Sequence, residues 1–183
     1  MVISEINREF GVSFDLFGME QVRDVEGEEA FKAKLHYNGM SGKGVINLDF
    51  TFYEKVELPP KPRLIFHPYS DHFKVTIPVY QLEEIVAEKL RAILNVRTYH
   101  RGRDVYDLWY LSKHGDLNRE TLKNIFEKKC DSKKKERKEL NLISLGYLEK
   151  FRANYQIQLE NQLKDLPDYS QLAQQLSDFL RSV

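Results

Sequence analysis

The chain has 183 residues, 42% of them hydrophobic and 12% aromatic, and its 28 basic and 28 acidic side chains cancel at neutral pH. That size supports a domain with an ordinary core, and the charge balance excludes a global basic field, so a nucleic-acid partner would need a local patch. A single cysteine, Cys130, excludes an internal disulfide and fits a reducing cytoplasm, and no apolar run approaches the roughly 18 residues of a spanning helix. A cytoplasmic location without a membrane partner is therefore expected.

Residues 2–10 place Ile3, Ile6 and Phe10 at helical spacing, with Gly11 as a stop. Residues 12–17 alternate as a short strand, and the acidic stretch 23–29 reads as a loop. Phe31, Ala33, Leu35 and Tyr37 then alternate with Lys32, Lys34 and His36. Asn38, Gly39, Gly42 and Gly44 supply turn chemistry, and residues 45–53 alternate again, with Ile46, Leu48, Phe50 and Phe52 opposite Asn47, Asp49 and Thr51. The pattern predicts an antiparallel hairpin with one core face and one polar face. Aspartate is disfavoured inside strands, so Asp49 is either an exposed position paired with Lys32 or Lys34, or a residue with a chemical task.

Pro59, Pro60 and Pro62 predict an extended connection, and residues 64–66 and 75–80 predict two further strands around a turn at 68–71. Helical periodicity begins at Leu82. It predicts helices over 82–97, through Asp104 to Leu111, over 119–129, in one long segment over 140–163, and over 169–180 after Pro167. The expected architecture is α+β, with a β-rich portion over residues 1–80 and a helical portion over 81–183.

Two charge patterns stand out among the helices. Leu82, Ile85, Val86, Leu90, Ile93 and Val96 form an apolar arc with Lys89 in its middle, whereas Glu83, Glu84, Glu88, Arg91 and Asn95 fall on its flank or on the solvated side. A lysine in such an arc either carries its ammonium out to water or is held by an anion. In the next helix Asp104, Asp107, Leu108 and Leu111 share a face. Asp104 is either a capping residue after Gly102 or part of a site, and Asp107 is either a salt-bridge partner of Lys89 or Arg103 or a wall of a polar cleft. A hydrolase using Asp104 and Asp107 as paired carboxylates is a further option.

Residues 128–138 form the most basic local run, either a solvated segment or a phosphate contact. Tyr106, Trp109 and Tyr110 could stack a base or serve as core or interface. The histidines lack paired helical spacing, and no nucleophile elbow or Walker loop occurs, which removes structural zinc, serine hydrolase and P-loop readings.

The order Lys34-Leu35-x-Tyr37-x-Gly39, Ile46-Asn47-Leu48-Asp49, then Val79-Tyr80-x-Leu82-Glu83-Glu84-Ile85-x-Ala87-Glu88-Lys89-Leu90-Arg91-Ala92 and Arg103-Asp104-x-x-Asp107-Leu108 resembles the AbiEii/AbiGii family of nucleotidyltransferase toxins. The resemblance implies a partial polymerase-β-like nucleotidyltransferase fold, with a short antiparallel or mixed sheet followed by a helical region. It further implies a toxin of a type IV-like toxin–antitoxin or phage-defence system, nucleotide transfer from an NTP with Mg2+, an antitoxin partner, and RNA such as tRNA as acceptor. By analogy Lys89 holds nucleotide phosphate, Arg103 and Asp104 shape the cleft, Asp107 is the acidic catalytic residue, and Asp49 matches a strand carboxylate near the metal. The family's Gly-Ser turn and Asp-x-Asp pair have no counterpart here, so the chain is expected to be the C-terminal portion of such a protein. The rival expectation is a non-catalytic module that engages an antitoxin, RNA or a second copy of itself.

Overall fold

The computed structural model describes residues 13–25, 28–39, 42–52, 55–66, 74–95, 99–132 and 139–183. The helix expected over 2–10, the turn at 68–71, the basic run beyond Ser132, and Val96 and Arg97 lie outside them. The chain forms two compact units that divide between Lys55 and Val56.

The first unit is a three-stranded antiparallel meander of β1 (Ser13–Val25), β2 (Glu28–Gly39) and β3 (Gly42–Thr51), in that order. The register agrees with the predicted side-chain parity, but the apolar face is not a core: only Ala33 is buried on it, and Ile46 and Phe50 are exposed. Leu35 stands opposite Ile46, Ala33 opposite Leu48 and Phe31 opposite Phe50, while Lys32 and Lys34 oppose Asp49 and Asn47. In the acidic stretch 23–29 the described residues are strand, not loop: Asp24 pairs with Glu29 and Val25 with Glu28, continuing the ladder. Strand pairing is decided by backbone hydrogen bonds, which charged residues also make.

Two glycines serve this sheet. Gly18, at φ +70°, sits where the β1 register slips between Phe17 and Met19, as a bulge requires. Gly44 lies under the Tyr37 ring, where an added Cβ would meet the hydroxyl at 2.5 Å.

The second unit opens with an antiparallel ribbon, β4 (Lys61–Phe66) and β5 (Lys74–Val79), in which Pro62 is a strand residue opposite Pro78. Among the described residues five helices of two turns or more follow: α1 (Leu82–Leu94), α2 (Gly102–His114), α3 (Arg119–Ser132), α4 (Arg152–Leu159) and α5 (Tyr169–Leu180). Helix α1 packs on α2 and α3, and α2 packs on α4 and α5. Val86, Leu90, Ile93, Val105, Leu122, Phe126, Phe151 and Leu176 meet in the core, each such burial being worth about 1.5–3 kcal/mol.

The long helix expected over 140–163 is broken. A 3-10 turn at Leu140–Leu142 gives way to one helical turn at Leu145–Leu148, then a 3-10 turn at Glu149–Phe151 leads into α4. Ser144 is the cause at the first break: its extended backbone starts a new helix, and its hydroxyl accepts from the Tyr147 N–H at 3.3 Å. Asp168 does the same for α5, accepting from the Gln171 N–H at 3.0 Å directly after Pro167.

Candidate functional site

The site is built on the crossing of α1 and α2. Helix α2 begins at Gly102 because the approach of α4 leaves no room for a side chain: a Cβ there would lie 2.2 Å from the Tyr155 backbone nitrogen. The Asn154 amide donates to the His100 carbonyl at 2.8 Å, and the Arg103 N–H donates to Gln158 at 3.2 Å. These contacts fix the first turn of α2. Helix α1 is fixed at its other end, where the Tyr147 hydroxyl donates to the Ile93 carbonyl at 2.7 Å.

The Lys89 ammonium, reaching from α1, donates to Asp107 at 2.7 Å and to Asp104 at 3.0 Å. Asp104 is therefore a ligand of Lys89 and not a cap, and the N-cap position, Arg101, makes no side-chain capping bond. Arg103 is exposed, and both carboxylates turn to Lys89. Burial pulls the Lys89 ammonium down, but the hydrogen bonds it donates to Asp107 and Asp104, with their charges, outweigh it and hold its pKa above the ordinary lysine value. The group is a fixed cation suited to holding an anion, and it cannot act as a base near neutral pH.

The three members differ in access. Asp104 is 12% exposed, Lys89 26% and Asp107 41%. Asp104 is the buried anchor of the ammonium and Asp107 the outer partner that an incoming anion would meet first. Asp49 lies in the other unit, exposed on β3 in register with Lys32, one of the two partners expected for it.

The apolar arc of α1 is rotated from its predicted position. Ala87 and Leu94 join Val86, Leu90 and Ile93 in the core, Leu82 and Ile85 are half-buried, and Lys89 lies at the edge of the arc. The rotation buries Glu84, which had been assigned to the flank or the solvated side. Its carboxylate accepts from the Lys129 ammonium at 2.7 Å and from the Glu57 and Leu58 N–H groups at 3.2 and 3.1 Å. Glu88 joins at 3.4 Å from Lys129 and pairs with Arg91. Burial pushes the Glu88 carboxyl up, but the Arg91 and Lys129 bonds and charges hold it below the usual range. The available signal was Lys129 itself, which follows Ile125 and Phe126 at the i+4 and i+3 spacings of the buried face.

The sequence profile described as nucleotidyl transferase AbiEii toxin, type IV toxin–antitoxin system, matches residues 2–181. The chain belongs to the AbiEii family. A comparison with curated proteins gave no match. In fold the AbiEii chain is similar to the crystal structure of JHP933 from Helicobacter pylori, with 15% identity and a TM-score of 0.53 over 92% of this chain and 64% of that one. It is also similar to a candidate nucleotidyltransferase from H. pylori, with 16% identity and a TM-score of 0.51 over 92% of this chain and 66% of that one. The AbiEii chain thus spans about two thirds of the length of these structures, and at such identity the likeness concerns the fold: an α+β, nucleotidyltransferase-like fold. No helix of the described residues is long and apolar enough to cross a membrane.

Proposed function

We propose that Lys89, Asp104 and Asp107 are the phosphate-facing part of a nucleotidyltransferase centre that transfers a nucleotide from an NTP to an RNA acceptor, in a toxin restrained by an antitoxin. The observation that carries this reading is an ammonium shared by two carboxylates of unequal exposure, 12% and 41%, within an AbiEii chain. In this reading a triphosphate oxygen takes the place of Asp107 on the Lys89 ammonium, and Asp104 keeps the ammonium in position. The released Asp107 carboxylate then accepts the proton of the attacking RNA hydroxyl as that oxygen bonds to phosphorus and pyrophosphate leaves. Arg103, exposed beside them on α2, adds positive charge for the nucleotide.

Magnesium does not fit the described residues as they stand. Such an ion takes oxygen ligands in near-octahedral geometry, and no group of three or more His, Cys, Asp or Glu side chains comes together among the described residues. Asp49 contributes one carboxylate facing a lysine. In this reading the metal carboxylates are supplied by groups other than the described residues, and the sequence holds no Asp-x-Asp pair.

The test is to incubate the chain with labelled NTPs, Mg2+ and total RNA, and to measure triphosphate binding in parallel. The expected result is binding that Lys89→Ala abolishes, without transfer by the chain alone. Robust labelling of RNA by the chain alone would contradict the missing-carboxylate reading. Triphosphate binding that survives Lys89→Ala would remove Lys89 from the site and favour the second reading, a non-catalytic module. That reading is supported by the same saturation of Lys89, since an ammonium already holding two carboxylates can be a brace between α1 and α2.

A further inference from the structure

Every strand residue of the β4–β5 ribbon from Lys61 to Phe66 and from Lys74 to Pro78 is exposed, although Leu64, Ile65, Phe66, Val75 and Ile77 are apolar. The only charged residues of the two strands are the cations Lys61, Arg63 and Lys74. The ribbon is nevertheless firmly rooted. Glu84 accepts from the Glu57 and Leu58 N–H groups ahead of β4, and the Gln81 amide, just after β5, donates to the Pro59 carbonyl at 3.0 Å.

Each of its edges is interrupted near the root. Pro62 and Pro78 stand opposite each other, and since neither can donate, the pair occupies a non-hydrogen-bonded position with both nitrogens turned to the outer edges. Each edge therefore lacks a donor one residue from the root end of its strand, which weakens pairing with a second copy or an added peptide strand there. What remains is an arm with cations and exposed rings. Phe66, with Lys74 5.8 Å from its ring centre, lies on one face, and Tyr80, just past the end of β5 and 54% exposed, has the same parity.

We propose that this ribbon is a binding arm for single-stranded nucleic acid, in which Lys61, Arg63 and Lys74 neutralise phosphates while Phe66 and Tyr80 stack unpaired bases. Charge complementarity selects a polyanion, the prolines disfavour strand addition at the root of the ribbon, and rings exposed on one face select unstacked bases over a duplex. The long Lys61 and Arg63 side chains start on the opposite face, and in a ribbon two strands wide they reach round the β4 edge to the backbone of a strand lying on the rings. The proposal stands apart from the Lys89 site.

The test is fluorescence anisotropy of the full chain with a labelled twelve-nucleotide single-stranded RNA. Three phosphate contacts give a slope of log affinity against log salt of about −2, or about 15-fold weaker binding between 50 and 200 mM salt. The charge-reversed variant K61E/R63E/K74E is expected to bind at least 10-fold more weakly with a flattened slope, and F66A/Y80A about 10-fold more weakly with the slope retained. Reversing Lys123 and Arg181, on a groove between α3 and the end of α5, is expected to change binding less than 2-fold. Circular dichroism confirms that each variant is folded. The arm is overturned if RNA binding is absent, if the triple variant binds like the parent, if the Lys123 and Arg181 reversals cost as much, or if duplex RNA or polyglutamate binds as tightly. Triphosphate binding by the triple variant, expected within 2-fold of the parent, reports on the Lys89 reading separately.

Discussion

Helix α1 carries two ion-pair clusters on either side of its core face, and they occupy opposite electrostatic regimes. On one side the Glu84–Lys129 pair is 4% and 6% exposed and completed by backbone N–H groups. On the other, Lys89 bridges Asp104 and Asp107 with exposure rising to 41%. A buried pair with every bond satisfied has nothing to offer a ligand, and its value lies in fixing α1, α3 and the root of the ribbon. A half-exposed pair can exchange one partner for another anion at small cost. Burial, more than charge, separates the brace from the candidate site.

The largest expected effect is on the buried side. Lys129→Ala strands the Glu84 carboxylate and should cost about 3–4 kcal/mol in urea denaturation, and the double variant Glu84→Gln/Lys129→Met should recover part of that. A loss below about 1 kcal/mol would place both clusters in the same class. Next is Gly102→Ala, which drives a methyl group into the Tyr155 backbone and should cost about 2–3 kcal/mol, with triphosphate binding falling alongside as the first turn of α2 shifts. On the exposed side, Asp104→Asn should cost about 1–2 kcal/mol. Asp107→Asn should change stability by no more than about 0.5 kcal/mol. Calorimetry should nevertheless find triphosphate binding strengthened by Asp107→Asn, because the competing charge is gone; weaker binding would count against exchange at Lys89.

The smallest effects are in pH. Lys89 and Lys129 are raised above the ordinary lysine value against the opposing pull of burial, Tyr155 is pushed up to about 12 by burial, and Tyr169 is raised for the same reason. Groups raised in the folded state stabilise it fully below their unfolded pKa and lose that contribution as pH climbs through the folded value. Stability should therefore decline from about pH 10 upward. Glu88 is depressed, so its contribution holds above the usual carboxylate pKa and disappears as pH falls below it. Thermal melts across pH 3–11 check both limbs, and Glu88→Gln should flatten the acid limb and, by removing a charge that holds Lys129 raised, weaken the alkaline one.

Much of this chain could be read before folding. Alternation in 31–37 and 45–53 yielded the correct faces of β2 and β3, because side-chain direction in a strand follows from residue parity alone. The pairing of Lys89 with Asp107 was open from the helical patterns, and the contact is observed. The misreadings share a cause. Polarity alone points to a loop at 23–29, the helical wheel of α1 puts Glu84 off the apolar arc, and periodicity over 140–163 does not register the competing cap at Ser144.

Sequence pattern alone was sufficient for the α+β class, the family motifs and the charged residues out of place on helical faces, because these depend on local periodicity and residue type. Which of those charges is buried depended on the rotation of α1 against α3, and that was set by packing between segments some 40 residues apart. A lysine at position 129 and a lysine at position 89 look alike in the chain. Their surroundings make the first a brace and the second a candidate for binding phosphate.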